Sequence, residues 1–314
     1  MTIEFAGRVG VITGAGQGLG RAYALEMATR GAAVVVNDMP GSSDAAAVVS
    51  EIEAAGGVAV ASLHSVAQEQ GGAAIVADAV AAFGRIDFVV NNAGILRPGL
   101  FDELPMATVE ETLAVHLLGA FHVGRAAFAE MRKAGYGRIV NVCSASIFGF
   151  PAQSPYSAAK GGILGLTNTT ALEGALHGIK VNAVLPASAT PMTINALAGK
   201  NAVPGFAADE EWNQARATMM PRYHPQGVAA LVALLASEDC PVSGQAFSAM
   251  AGRYARVFLG IADGWVAPSD AMTAEAILAN FDRVGDTSAF LVPSKARDEF
   301  IATAERIGAL GEAA

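Results

Sequence analysis

The chain has 314 residues, of which 53% are hydrophobic, and a formal net charge of −9 at pH 7. A chain of this length and composition can bury a large core and suits one enlarged α/β domain better than two. The negative charge argues against nucleic acid or an anionic membrane surface as the main partner. Its two cysteines are too few for a disulfide framework.

The start of the chain does not resemble a secretory signal and leads directly into the first predicted strand. The longest uncharged stretch, 139–159, is rich in Ser, Asn, Gln and Pro, which argues against a membrane span. We therefore expect a cytoplasmic protein.

The first predicted strand, Val9–Ile12, is followed by a glycine-rich turn that leads into a helix. Glycines let the backbone turn tightly and approach a pyrophosphate, while free N–H groups at the start of a helix favour negative charge. The pattern predicts a dinucleotide-binding turn with contacts from Gly14, Gln17, Gly18, Leu19 and Gly20.

The second predicted strand, Ala33–Asn37, ends beside Asp38. An acid at this distance from the glycine turn can accept hydrogen bonds from an adenosine ribose, and it repels a 2′-phosphate. This spacing favours NAD over NADP. The alternative is that Asp38 only begins a turn over 38–41, which is typical of an isolated Asp but less so at this spacing.

Further strands alternate with helical stretches, of which 71–83 and 110–131 are examples. The strands are predicted at 58–61, 86–90, 138–142, 179–184 and near 245–248. This alternation predicts a doubly wound parallel α/β sheet with helices on both faces, in which ligands bind at the carboxyl ends of the strands. Two amphipathic stretches in the tail, 273–283 and 295–307, predict helices.

Tyr156 and Lys160 are four residues apart on a predicted helix, so the phenol and the ammonium share one face. The usual pKa of a phenol, roughly 10, is too high for a base at neutral pH, and a nearby cation lowers it by favouring phenolate. Without a cofactor turn upstream, such a pair is usually a solvated helix face. With that turn, it indicates a proton-transfer site.

These motifs, together with Asn91-Asn92-Ala93-Gly94, resemble those of the short-chain dehydrogenase/reductase family, which has T-G-x-x-x-G-x-G, N-N-A-G and Y-x-x-x-K in this order. The resemblance implies a Rossmann-type fold and a metal-free transfer of hydride between a substrate carbon and a nicotinamide. It implies that the tyrosine moves the proton, while the lysine lowers the pKa of that tyrosine and holds the nicotinamide ribose. The further cofactor contacts that it implies are Ser65, Val66, Asn92, Ala93, Gly94, Tyr156, Lys160, Pro186, Ala189 and Thr190.

The family also uses a serine that polarises the substrate oxygen, and here its usual position holds Cys143. We expect Ser144 to take this role, because a cysteine is a poor hydrogen-bond donor and the turn after strand 138–142 has lost one residue. Ser146 is then a substrate contact or a turn residue.

Two other positions depart from the family pattern. His116 stands where many members have an asparagine that completes a proton relay to the lysine. A histidine can serve this relay, with different pH behaviour because it titrates near neutrality. The alternative is a histidine that backbone groups satisfy inside a kinked helix. His64 stands where the family often has an aspartate facing the adenine, so we exclude it from the site.

Within the family, the chain resembles the (3R)-hydroxyacyl-CoA dehydrogenase domain of the peroxisomal multifunctional β-oxidation enzyme. The segments that carry this resemblance are 18–25, 34–38, 83–87, 91–97, 136–140 and 271–281. It implies a catalytic domain over 1–255 and a C-terminal helical extension over 256–314 that packs on this domain or on a neighbouring subunit. The apolar residues near 190–222 indicate a mobile lid, with an amphipathic helix packed on the core as the alternative. Two lid residues, Met192 and Trp212, are candidate substrate contacts.

The expected substrate is a hydrophobic secondary alcohol or ketone, either a (3R)-hydroxyacyl-CoA or a hydroxysteroid. Only Lys200, Arg216 and Arg222 offer positive charge in the lid for a CoA thioester. The alternative is a catalytically silent NAD(H)-binding redox sensor or subunit. The family pairs the helix of Tyr156 with the helix near 113–131 across a two-fold axis, which implies a homodimer or homotetramer.

Overall fold

The computed structural model describes residues 2–190, 194, 209–269 and 272–312, with the backbone alone for the last four. Met192, one of the predicted substrate contacts, lies outside the described residues. The chain divides into two compact units, Met1–Arg256 and Val257–Ala314.

The first unit is built on an eight-stranded sheet of order β3-β2-β1-β4-β5-β6-β7-β8. The strands are β1 Val9–Ile12, β2 Ala33–Asn37, β3 Val58–Ser62, β4 Phe88–Asn91, β5 Gly137–Val142, β6 Ile179–Ala187, β7 Ala246–Met250 and β8 Arg253–Val257. Strands β1 to β7 pair in parallel. The predicted doubly wound α/β sheet is therefore confirmed.

The last strand, β8, was not predicted. The two residues that join it to β7, Ala251 and Gly252, both have positive φ, 49° and 82°. Two positive φ values in a two-residue connection are typical of turns between antiparallel strands. The parallel sheet therefore ends in a hairpin at this edge.

Both faces of the sheet are covered by helices, and the pleat of β2 shows how. Val34 and Val36 belong to one apolar cluster with residues of α1 and α8, whereas Val35 belongs to a second cluster with residues of α3 and α5. The helices are α1 Gly18–Thr29, α2 Asp44–Ala54, α3 Glu69–Phe83, α4 Met106–Leu113, α5 Gly119–Ala134, α6 Ser154–Gly174, α7 Glu210–Met219 and α8 Pro225–Ala236. Strands buried on both faces are expected to be almost continuously apolar, as β1 and β2 are.

Helices α4 and α5 are joined by a π-helical turn, Ala114–Leu118. By length and composition alone, the continuous helical segment 106–134 could cross a membrane, with a mean hydropathy of 1.2. Core helices of soluble proteins meet the same test, and Val123, Ala127 and Met131 are fully buried in the second cluster.

The second unit contains a small antiparallel pair, β9 Ile261–Ala262 with β10 Phe290–Leu291. Its helices are α9 Ala274–Ala279, α10 Phe281–Val284 and α11 Arg297–Glu312. The predicted helix over 273–283 begins where Thr273 caps the N–H of Ala276, but it is divided at Asn280. The helical character of the C-terminal region is confirmed.

Candidate active site

The strands of the parallel sheet end at one edge, and predicted site residues lie at or just after the ends of β1 to β6. The glycine turn follows β1, Asp38 follows β2, the Asn91–Gly94 segment lies at the end of β4, and Ser144 follows β5. Pro186 lies near the end of β6, opposite Ala249 of β7. Such an edge, where strand order reverses beside β1, is the usual ligand site of doubly wound sheets.

The glycine turn approaches its neighbours so closely that side chains would collide. Gly14 and Gly18 have φ of 60° and 57°, in the left-handed region that favours glycine. A Cβ on Gly16 would lie 2.1 Å from Oδ2 of Asp38, and one on Gly20 would lie 2.1 Å from the carbonyl oxygen of Gly14. The turn therefore places its bare backbone next to the Asp38 carboxylate.

Asn92 and Thr13 hold this turn in place. The Thr13 hydroxyl oxygen accepts hydrogen bonds from the N–H groups of Asn92 and Ala93, at 2.9 and 3.0 Å. The Asn92 amide nitrogen donates to the carbonyl oxygens of Thr13 and Gly14, at 2.9 and 3.1 Å. The side-chain amide of Asn92, a predicted cofactor contact, thus braces the glycine turn.

Asp38 has the turn geometry that the sequence offers as one of its two roles. Its Oδ1 accepts a hydrogen bond from the N–H of Met39 at 2.7 Å, which is turn geometry. Its Oδ2 lies on the side of Gly16. The carboxylate is therefore held by one oxygen, and its other oxygen lies beside the glycine turn. A contact with an adenosine ribose stays a prediction.

The remaining predicted cofactor contacts line the loops after β3 and β6. The carbonyl oxygen of Val66 lies 2.9 Å from Nδ1 of His122, and the Ser65 hydroxyl accepts from the N–H of Ala67 at 3.3 Å. Ala189 donates its N–H to the carbonyl oxygen of Tyr223 at 2.8 Å, and Thr190 accepts from Ile194 at 2.8 Å.

A nicotinamide dinucleotide fits these residues. Gln17, the residue before α1, makes no side-chain cap within the described residues, so the first N–H groups of α1 keep their capacity to bind an anion. The turn also leaves backbone, not side chain, beside Asp38 at Gly16. Asp38 would supply an acceptor for ribose hydroxyls.

Tyr156 and Ser144 meet beside the cofactor edge. Burial raises the pKa of the Tyr156 phenol, and a hydrogen bond with the Ser144 side chain opposes this rise. The Ser144 oxygen also accepts from the N–H of Ser146 at 3.1 Å, as the cap of a short 3₁₀ turn over Ala145–Phe148. The structure thus brings Ser144, rather than Ser146, to the phenol.

Lys160 is almost completely buried, and its ammonium contacts the sheet. Nζ donates to the carbonyl oxygen of Val142 at 2.5 Å and lies 5.7 Å from the centre of the Tyr156 ring. Burial lowers the pKa of Lys160 to about 8. Burial outweighs the opposing contributions and raises the pKa of the Tyr156 phenol above its usual value. The expectation that Lys160 lowers this pKa stays a prediction.

His116 lies in the π-helical turn and packs its ring edge-to-face on Tyr156, with ring centres 4.9 Å apart. Nε2 lies 2.7 Å from the carbonyl oxygen of Ile95, whereas Nδ1 is buried with no partner among the described residues. Burial and the nearby Lys160 charge lower the pKa of His116 to about 3. Titration near neutrality, expected from the sequence, is therefore wrong: the ring stays neutral.

The glycine that ends N-N-A-G is explained by this histidine. A Cβ on Gly94 would lie 2.4 Å from Cε1 of His116, so only glycine leaves room for the ring. A backbone contact inside a distorted helix was the alternative interpretation of His116, and the contact with Ile95 agrees with it. The role of a relay stays a prediction.

Two residues that the sequence analysis did not place in the site also belong to it. Gly16 lies within the quoted glycine motif, and its contact with Asp38 could be found only from the packing. Cys143 donates its thiol to the carbonyl oxygen of Lys160 at 3.2 Å, and burial raises the pKa of that thiol. Cys143 is thus an anchor of the helix rather than a reactive group.

The predicted substrate contacts differ in their surroundings. Ser146 is buried, and its hydroxyl has no hydrogen-bond partner among the described residues. Trp212 is 46% exposed on α7, and its backbone N–H donates to the Asp209 carboxylate at 2.8 Å. Among the described residues, no group of three or more His, Cys, Asp or Glu side chains could hold a metal ion.

A Rossmann-type sheet with a glycine turn, a tyrosine–lysine helix and a serine at one edge defines a nucleotide-dependent oxidoreductase that acts on a CH–OH group. The chain belongs to the short-chain dehydrogenase/reductase family, because the family model described as short chain dehydrogenase matches residues 8–201. Members of this family generally use NAD or NADP.

Known relatives cover this chain to different extents. A short-chain type dehydrogenase/reductase of Mycobacterium tuberculosis is 42% identical over 266 residues, which are 82% of this chain and 87% of that protein. The peroxisomal multifunctional enzyme type 2 of Mus musculus is 41% identical over 300 residues, 91% of this chain. The structure of the full-length Drosophila melanogaster peroxisomal multifunctional enzyme type 2 matches 97% of this chain with a TM-score of 0.76 and 33% identity.

This chain spans 38% of the mouse enzyme and 50% of the fly chain. The recognised resemblance to the multifunctional enzyme is therefore confirmed for one part of those longer proteins.

Proposed function

We propose that the protein is an NAD-dependent oxidoreductase that transfers hydride between a hydrophobic secondary alcohol or ketone and the nicotinamide. The observation that carries the proposal is the meeting of Ser144, Tyr156 and Lys160 at the same sheet edge as the glycine turn and Asp38. The residues of this edge would hold the dinucleotide through backbone N–H groups, the Asp38 carboxylate and the Lys160 side chain.

The choice of NAD rests on the Asp38 carboxylate. Its Oδ2 lies beside Gly16, and the N–H of Met39 donates a hydrogen bond only to the other oxygen, Oδ1. A fixed negative charge here accepts hydrogen bonds from ribose hydroxyls and repels a 2′-phosphate.

Proton transfer falls to the Tyr156 phenol. Because burial raises its pKa, the phenol is protonated at neutral pH, the form that donates a proton to a ketone oxygen. The Ser144 oxygen accepts from the N–H of Ser146, and the Ser144 side chain hydrogen-bonds with the phenol. With a substrate bound, the Ser144 hydroxyl would donate its proton to the same substrate oxygen instead. When bound, the nicotinamide supplies the hydride or accepts it.

His116 and Lys160 surround this phenol without sharing its proton directly. The neutral His116 ring packs against the phenol and fixes its plane, while the Lys160 ammonium is held by Val142. We propose that both orient the site, and that Lys160 also contacts the nicotinamide ribose.

A hydrophobic substrate is favoured by the loops that follow β4 and β5. Phe101, Phe148 and Phe150 are exposed, and the two loops are tied by a hydrogen bond from Gly99 to the carbonyl oxygen of Ala152 at 2.9 Å. Together with the resemblance to a (3R)-hydroxyacyl-CoA dehydrogenase domain, this apolar rim leads us to propose a (3R)-hydroxyacyl-CoA or a hydroxysteroid as substrate. We also propose a cytoplasmic homodimer or homotetramer that uses α5 and α6.

The test measures reduced nicotinamide by its absorbance, with NAD or NADP and with (3R)- and (3S)-hydroxyacyl-CoAs, hydroxysteroids and simple secondary alcohols. We expect turnover of a bulky apolar substrate with NAD. The Tyr156→Phe variant should bind NADH as the wild type does and lose turnover by at least about a hundredfold.

Two outcomes would count against the proposal. Unchanged turnover in Tyr156→Phe would remove the tyrosine from the chemistry. Tight NADH binding by the wild type with no turnover of any substrate in the panel would favour the silent redox sensor instead.

A further inference from the structure

A buried chain of hydrogen bonds connects the sheet to the helix that carries Tyr156 and Lys160. The Asn91 amide donates to Oδ1 of Asn141 at 2.9 Å, and the Asn141 amide donates to the Thr167 hydroxyl at 3.0 Å. The Thr167 hydroxyl in turn donates to the carbonyl oxygen of Ile163 at 2.7 Å. The side chains of Asn91, Asn141 and Thr167 are 7%, 1% and 1% exposed, so water does not compete for these bonds.

The direction of every bond in this chain is determined. Thr167 uses its single proton toward Ile163, so it must accept from Asn141. The Asn141 oxygen therefore faces Asn91, which is its register partner on the neighbouring parallel strand. Such a one-way chain strengthens itself by mutual polarisation and tolerates little displacement of its members.

Helix α6 contacts three consecutive residues of the sheet edge through polar groups. Near its start, Lys160 donates to Val142 and accepts from the Cys143 thiol. Two turns further along, Thr167 accepts from Asn141. With the Lys160 contacts alone, the helix could rotate about the point where they are made. The Thr167 contact, two turns away, opposes that rotation.

Apolar packing alone would hold α6 less firmly. Several of its buried residues are small, Ala159, Ala171 and Gly174 among them, and the hydrophobic effect has no direction. Ile163 and Leu164 are buried as well, but apolar contacts constrain rotation and sliding of a helix less sharply than a directional bond does. Directional hydrogen bonds are what define its register on β5.

We propose that Asn91, Asn141 and Thr167 form a positioning network that sets the register of α6 and thereby the placement of Tyr156 against Ser144. Ser144 continues β5, Tyr156 belongs to α6, and Thr167 lies eleven residues, about 16 Å, from Tyr156 along the helix. The network acts through the helix and touches no reacting atom. This inference rests on the proposed function for its kinetic test but not for its structural one.

The test compares three variants of the full chain. Thr167→Val keeps the shape of the side chain and removes the hydroxyl, and Thr167→Ser restores the hydroxyl. Thr170→Val is the matched control, because the Thr170 hydroxyl donates within its own helix, to Leu166 at 2.6 Å, and has no part in the network. Readouts are kcat and KM with the best substrate, and amide hydrogen exchange of the segment 154–162 in the protein without substrate.

In Thr167→Val we expect kcat to fall about tenfold or more while KM changes by less than about twofold. We also expect faster amide exchange in 154–162. Thr167→Ser should recover both readouts, and Thr170→Val should match the wild type. If Thr167→Val does not fold, Asn91→Ala interrupts the same network from β4 and should show the same two changes.

Equal behaviour of Thr167→Val and Thr170→Val in both readouts would overturn the proposal, as would a loss in Thr167→Val that Thr167→Ser does not recover. Because amide exchange needs no turnover, a wild type without activity would refute the proposed function and still leave the positioning network to be decided by exchange.

Discussion

Replacing Gly16 by alanine tests how the glycine turn and Asp38 select the cofactor. The added Cβ would lie 2.1 Å from Oδ2 of Asp38 and 2.7 Å from Cβ of Asp44, whereas ordinary contact begins at 3.4 Å. Since Asp44 belongs to helix α2 and the carboxylate is the free end of a side chain, the carboxylate yields first. It must retreat by 3.4 − 2.1, or about 1.3 Å, which takes a hydrogen bond of ordinary length out of range.

The size of the effect follows from the bond that is lost. A hydrogen bond to a charged group contributes about 1.5–3 kcal/mol, which corresponds to roughly ten- to 150-fold in kcat/KM for NAD. NADP has no such bond to lose, and it gains because the repelling charge moves away. The ratio of kcat/KM for NAD to that for NADP should therefore fall by at least about tenfold.

The assay is steady-state kinetics with both nucleotides, with melting temperatures measured alongside. Gly227→Ala is the matched control, because its new Cβ would meet only the Tyr254 hydroxyl, at 3.7 Å. In the double variant Gly16→Ala with Asp38→Ala, the second change should add little, because both act on the same carboxylate. A nucleotide ratio unchanged in Gly16→Ala, or fully additive effects in the double variant, would refute this reasoning.

Three further predictions concern protonation and stability. In the wild type, the buried His116 ring stays unprotonated down to its pKa of about 3, whereas the unfolded chain takes up this proton below pH 6.5. The free energy of unfolding therefore falls as the pH drops, and His116→Gln should make this slope shallower by up to about 1.4 kcal/mol per pH unit. Urea unfolding at several pH values checks this. Lys160→Met should abolish turnover but raise the melting temperature at pH 7. Burial has moved the pKa of Lys160 from 10.5 to about 8, a penalty of roughly 3 kcal/mol on the charged form. Calorimetry beside the nicotinamide assay checks this, and a variant that melts at a lower temperature than the wild type would contradict it. Asp87→Ala should lower the free energy of unfolding by about 1.5–3 kcal/mol without changing kcat. The buried Asp87 carboxylate binds Arg8 and Arg85 at the amino ends of the strands, away from the site. A loss in kcat as large as the loss in stability would contradict that placement.

The fold was predictable because its signals are local. The apolar runs of β1 and β2, the glycines after β1 and the regular return of strands predict a parallel sheet without knowledge of any contact. The edge hairpin was missed because β8 carries Arg253 and Arg256 and has no apolar alternation. The division of the tail helix at Asn280 likewise has no strong signal, since asparagine also occurs inside helices.

The electrostatics of the site were not predictable from spacing. Four residues place Tyr156 and Lys160 on one helix face, but spacing cannot tell how far each is buried or what else each contacts. The Lys160 ammonium donates a hydrogen bond to the carbonyl oxygen of Val142, and burial raises the pKa of the Tyr156 phenol. The same holds for His116, whose neutral state follows from packing against Gly94 and Tyr156 and from the nearby Lys160 charge.

The alternation of side chains along β5, rather than the number of residues before Tyr156, determines which residue takes the place of the family's serine. Side chains alternate along a strand, so Asn141 and Cys143 share one face of β5 and its continuation, and both contact α6. Ser144 falls on the next position, where the strand has ended and a 3₁₀ turn begins, and there its oxygen caps Ser146 while its side chain reaches Tyr156. The cysteine therefore occupies a place that requires a small residue in contact with the helix, not a strong hydrogen-bond donor.

On this interpretation, Cys143→Ser should leave Ser144 as the residue that polarises the substrate oxygen, and Ser144→Ala should lower kcat even when a serine stands at 143. A Cys143→Ser, Ser144→Ala double variant that recovers wild-type kcat would show that either position can polarise the substrate.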